Sequence, residues 1–173
     1  GGGINNIKQI DELLRIGADK ISLNTVVFSN KNLINQTAMK YGSQCIVVSI
    51  DAKKTKDKYE VFIHNGKIST DTDVIEWSMM IESMGAGEIL VTSIDRDGSL
   101  EGYDNELNKI ITSNVNVPVI VNGGAGKWKD FVDGIREGGA SGVGTTNIYH
   151  FTEKSIKSAK SYMFKNNLIV RNN

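Results

Sequence analysis

The chain carries a single cysteine, a single proline and two histidines in 173 residues. One thiol rules out an intrachain disulfide framework, and one Cys with two His falls short of a zinc ligand set. Cys45 lies in the apolar run Cys45-Ile46-Val47-Val48, where a buried thiol behaves as a small hydrophobe. An excess of either charge is also missing. The 20 basic and 20 acidic residues give a formal net charge of zero, unlike the basic excess of a general nucleic-acid binder. No apolar run approaches the ~20 residues of a membrane span, and no signal peptide is legible. These absences point to a reducing, cytoplasmic setting, with neither nucleic acid nor membrane as partner and no metal or cofactor called for.

What is present is alternation. Apolar residues at helical spacing predict helices over 7–16, 30–41, 73–84, 105–113, 127–137 and 152–166. Short β-branched runs predict strands over 20–24, 46–50, 88–94, 119–121 and 141–145. Asp71 or Asp73 is the expected cap of the third helix. The lone proline, Pro118, stands just before a strand, where a missing amide costs little. Strands alternating with helices make a mostly parallel α/β sheet. The sequences Gly17-Ala18, Gly85-Ala86 and Gly139-Ala140 each close a helix and open a strand, the mark of an iterated unit. One interruption is expected: Asn65-Gly66 between the alternating segments 59–64 and 67–70 is a hairpin signal. We expect a single domain over residues 1–173.

The strand ends carry the polar residues, as in a (βα)8 barrel, whose chemistry sits at the C-terminal ends of its strands. Asp51 follows a buried strand and is a candidate general acid or base; a cap, or a partner for Lys53 or Lys54, is the competing reading. Asp97, in Asp95-Arg96-Asp97-Gly98, either meets substrate or shapes its loop through an ion pair. Asn122-Gly123-Gly124-Ala125-Gly126 precedes a helix whose N-terminal amides can bind a phosphate, and Thr145-Thr146-Asn147 follows at the next strand exit. Gly1-Gly2-Gly3 with Asn24-Thr25 forms a comparable pair near the start. Two paired sites suggest a ligand with two phosphates. His64 and His150 lack an acid–nucleophile arrangement and read as structural. A closed barrel of this kind takes about 250 residues, so we expect this chain to be the C-terminal two-thirds of an enzyme.

Four segments, 17–25, 47–53, 85–98 and 123–127, resemble in order and spacing the cyclase subunit of imidazole glycerol phosphate synthase, the HisF family. Ser93-Ile94-Asp95-Arg96-Asp97-Gly98 is the most specific of them. The resemblance implies strands four to eight of a TIM barrel, a partial (βα)8 barrel lacking its first three strands, with the hairpin in the loop after strand five. It implies a lyase-type activity that takes ammonia from a glutaminase (HisH-like) partner and converts the diphosphorylated substrate PRFAR to imidazole glycerol phosphate and AICAR in histidine biosynthesis. It further implies that Asp51 is catalytic and that Asp97 lies near the substrate. Gly3, Asn24 and Thr25 fall in one phosphate site, and Gly98, Gly123 and Gly124 in the other, with Thr146 or Asn147 at its far side. Lys20 and Glu88 match two of the charged residues that gate the ammonia channel. The family's other catalytic aspartate lies on strand one, so the fragment alone is expected to be inactive and to self-associate. Residues 59–66 and 148–153 are also similar to a HisF-like branch that aminates a nucleotide sugar for surface polysaccharides. A non-catalytic barrel fragment is the third expectation.

Overall fold

The computed structural model describes residues 1–150 and 155–171, without the side chains of Asn147 and His150. The start of the expected last helix, and part of segment 148–153, lie outside the described residues.

Helix α1 (Ile7–Arg15) leads to β1 (Ile21–Leu23). Helices α2 (Val26–Ser29) and α3 (Asn32–Tyr41) then lead to β2 (Ile46–Lys54). The hairpin β3 (Tyr59–Ile63) and β4 (Ile68–Asp73) follows. The remaining order is α4 (Val74–Ser83), β5 (Glu88–Ser93), α5 (Asn105–Thr112), β6 (Val119–Asn122), α6 (Trp128–Arg136), β7 (Gly142–Val143), α7 (Asn147–His150) and α8 (Ile156–Lys165).

Local chemistry explains most of the boundaries. Asp73, not Asp71, caps α4 by accepting the amides of Ile75 and Glu76. Helices α1 and α4 end alike. Gly17 and Gly85 both adopt φ 106°, and the amides of Ala18 and Ala86 reach back to the carbonyls of Leu13 and Ile81. This is the Schellman closure, and only glycine adopts that backbone without strain.

Strands β1, β2, β5, β6 and β7 are parallel and lie side by side in chain order. Right-handed crossovers that always step the same way put every helix on one face of the sheet. The burial alternation agrees. Ile21, Leu23, Ile46, Val48, Ile50, Ile89, Val91, Val119 and Val121 are buried in one cluster with Leu33, Trp77, Ile81, Leu107 and Phe131 of the helices. The opposite face carries Ser22, Asn24, Ser49, Asp51, Glu88, Leu90, Thr92, Ile120 and Asn122, all half-buried.

Two elements differ from expectation. Residues 26–29 form a separate short helix, α2, because Phe28 stacks on buried Trp77 with ring centroids 3.8 Å apart. Strand β2 runs past Ile50 to Lys54, because Asp51 to Lys54 pair antiparallel with β3. One edge of β2 is thus shared, its first half with β1 and its second with the hairpin. The hairpin turn is also longer than two residues: the last pair is Ile63 with Ile68.

Candidate functional site

The polar face of the sheet ends in one row of side chains. Asp51, Thr92 and Asn122 are direct partners across β2, β5 and β6. The Asn24 amide, just beyond β1, donates to Asp51 Oδ2 at 3.1 Å, and the Asn122 amide donates to Thr92 Oγ1 at 3.3 Å. All four stand at the C-terminal ends of parallel strands, where such folds bind ligands.

Asp51 pairs with neither Lys53 nor Lys54. Lys54 uses its amide on Asp95 and its ammonium on Glu106. Burial pushes the Asp51 carboxyl above its ordinary value. The Asn24 hydrogen bond opposes this, and the negative charge of Asp97 adds to it. A carboxyl so raised exchanges protons closer to neutral pH.

A cavity lies on each side of Asp51. The first, of about 290 Å³, is lined by Gly2, Gly3, Ser22, Asn24, Thr25 and Asn65, among others. Gly2 and Gly3 are left-handed, at φ 82° and 69°, and a Cβ on either would meet nothing within 4 Å. Glycine here serves the backbone turn and leaves the space open. The second is a cleft of about 10 Å³, lined by Asp97, Gly98, Asn122, Gly123, Gly124, Thr145 and Thr146, among others. Asn147 opens α7 beside it.

The glycine run around the second cleft does a job that the sequence reading missed. A Cβ on Gly123 would lie 2.8 Å from the Ser93 carbonyl, and one on Gly124 2.3 Å from that of Gly102. The amide of Gly102 donates to the Gly124 carbonyl. These glycines let two strand-exit loops touch backbone to backbone. The α6 N-terminus is also not the free anion site expected, since the Asp130 carboxylate takes the amides of Gly126 and Lys127. A phosphate there would meet a buried negative charge. Arg96 pairs with Glu101 at 3.3 Å, a contact within its own loop.

At the other end of the same face, Lys20 forms an ion pair with Glu88. Glu88 lies four residues before Thr92, about 13 Å along the strand from the Asp51 row. Among the described residues no group of three or more His, Cys, Asp or Glu side chains could hold a metal ion, and no helix is long and apolar enough to cross a membrane.

Of the expected site residues, the structure brings Gly3, Asn24 and Thr25 to one cavity and Asp97, Gly98, Gly123, Gly124 and Thr146 to the other. Asn122 and Thr145, also read from the sequence, line the second, and the structure adds Ser22, Ser49 and Asn65 at the first cavity and Thr92 in the polar row. The alternation of polar residues along the strands, read together with their register, is the signal that finds most of these. Asn65 had no local signal beyond its turn.

The profile of the histidine biosynthesis protein family matches residues 1–155. The imidazole glycerol phosphate synthase subunit HisF of Clostridium botulinum is 48% identical over 173 residues, which is 99% of this chain and 68% of the relative. The proteins of the same name from Chlorobium limicola and Dehalococcoides mccartyi are each 46% identical over 171 residues, with the same coverage. On both grounds the chain belongs to the histidine biosynthesis protein family, among the HisF subunits of imidazole glycerol phosphate synthase.

Proposed function

We propose that this chain is the cyclase subunit of an imidazole glycerol phosphate synthase, converting PRFAR and ammonia to imidazole glycerol phosphate and AICAR in histidine biosynthesis. The observation that carries this reading is the place of Asp51, a half-buried carboxyl held by Asn24 on a strand between two strand-exit cavities. Addition of ammonia and ring closure both require proton transfers, and Asp51 serves as the general acid and base. The diphosphorylated substrate lies across the polar row with one phosphate toward each cavity. Thr25, Asn24 and the Gly3 backbone hold one end. Gly98, Gly123, Gly124 and the Thr146–Asn147 turn hold the other. Asp97, itself an anion, accepts hydrogen bonds from ligand hydroxyls and not from a phosphate.

The fold in this reading is five consecutive units of a (βα)8 barrel. Sequential parallel strands with all helices on one face support it. The half-buried face becomes the barrel interior once further strands close it.

A glutaminase subunit supplies ammonia at the opposite end, in the cytoplasm. The Lys20–Glu88 pair bounds that entrance, and the face between it and Asp51 forms the passage. The names of the relatives do not favour the nucleotide-sugar or non-catalytic readings. The test is to supply the full-length protein with PRFAR and ammonium and to follow imidazole glycerol phosphate. Turnover is expected with ammonium alone. Turnover of a nucleotide sugar, with PRFAR untouched, would overturn the reading.

A further inference from the structure

The chain leaves β2 after Lys54, and β3 runs back antiparallel so that Phe62 pairs with Asp51 and the hairpin tip reaches the first cavity. The tip spans the strand exits on either side of Asp51. On one side the His64 amide donates to Thr25 Oγ1 at 3.1 Å. On the other, the Ile94 side chain lies 3.0 Å from where a Gly66 Cβ would stand. The base is fixed as well: Tyr59 is buried, and its hydroxyl donates to the Asp104 carboxylate at 3.0 Å.

This tether has a chemical consequence. A hydroxyl has one proton and two lone pairs. With one lone pair of Thr25 taken by His64, its proton is directed away from the hairpin and is available to an acceptor in the cavity. Asn65, next along the tip, is exposed and lines the same cavity. His64, Asn65 and Gly66 are all left-handed, at φ 54°, 59° and 73°. A run of three such residues turns the tip back toward the strand exits. Among the described residues the cavity lining carries no cation, so an anion there is met by neutral donors, and the Asn65 amide can supply two.

We infer that Asn65 is a further substrate-binding residue, donating its side-chain amide to the phosphate in the first cavity, and that the hairpin tip holds Asn65 and Thr25 in place as donors. The inference rests on the reading of that cavity as a phosphate subsite.

The test uses two variants whose side chains tolerate a left-handed backbone, Asn65→Gly and Asn65→Asp. The full-length protein is titrated with inorganic phosphate while the amide resonances of Gly2, Gly3 and Thr25 are followed, with those of Gly123 and Thr145 as an internal reference. N65G is expected to weaken phosphate binding at the first cavity about ten-fold, the equivalent of one hydrogen bond to a charged group. N65D should weaken it further, with the second cleft unchanged in both. In turnover, KM for PRFAR rises in parallel while kcat stays within about two-fold, a split that a turn residue without ligand contact does not produce. Phosphate bound equally by parent and variants would overturn the inference and leave the subsite reading standing. No phosphate response at the first cavity of the parent would overturn both.

Discussion

The two cavities beside Asp51 look alike in sequence, each a glycine-rich turn paired with a threonine at the next strand exit, yet they are built differently. The first is open, its glycines left-handed with nothing near the missing side chain. Its rim is made of side chains and a tethered hairpin. The second has room for about one water. Its glycines are wedged against the carbonyls of neighbouring loops, and Leu100 on its wall is held at φ 62°. A bulky residue in that region is strained. The lesson is that a glycine-rich loop can serve loop packing as well as ligand access, and the contacts of the absent Cβ show where packing requires the glycine. In the proposed reading the second cleft widens to admit a phosphate, and the loop carrying Leu100 is the part under strain.

Asp51 is the proposed proton-transfer group between the two cavities, so its loss is expected to give the largest effect. Asp51→Asn in the full-length protein should lower ammonia-dependent turnover by about 10²–10⁴-fold; an unchanged rate would remove it from the chemistry.

Glycine substitutions break the comparison directly. Gly124→Ala meets the Gly102 carbonyl at 2.3 Å in a backbone with φ 103°, and should destabilise the fold by about 2–4 kcal/mol. Gly3→Ala meets open space and should lose only about 1 kcal/mol. Urea melts of the two variants measure the contrast, and equal losses would erase the distinction between the cavities.

A smaller effect concerns pH. The Asp51 carboxyl is raised above its ordinary 3.8 by burial first and by Asp97 second. It therefore binds its proton more tightly in the folded than in the unfolded chain. Its favourable contribution is present below the ordinary value and is lost as pH rises through the raised folded value. Asp51→Asn should thus raise Tm at about pH 7 and leave it nearly unchanged at about pH 3. A Tm gain larger in acid would contradict the direction assigned to Asp51. The smallest effect is expected from Leu100→Gly, which relieves the left-handed strain. Stability should stay level or rise by a few tenths of a kcal/mol, while amide exchange of residues 97–102 speeds up.

The fold was largely legible because its signals are local. Caps, helix-closing glycines and the Asn65-Gly66 turn are each set within a few residues. Helix α2 was not legible, since four residues make no periodic pattern and Phe28 is held by Trp77 from another helix. Nor was the extension of β2 through Lys53 and Lys54, which look like loop residues until β3 pairs with them. At the site, Asp51 and the two glycine turns could be picked out by type and position. The Asn24–Asp51 hydrogen bond and the place of Asn65 in the first cavity depend on register and on the return of the hairpin, which no single segment encodes. The glycines at 123 and 124 were found, but their packing role becomes visible only from the facing loop.

The central claim is that the two cavities are the two ends of one substrate site. Titrating the full-length protein with PRFAR, without ammonia, and following the amides of Gly3 and Thr25 together with those of Gly123 and Thr145 tests it directly. Both sets are predicted to shift with one shared dissociation constant at one ligand per chain. A response confined to one set, or two sets saturating independently, would contradict the account.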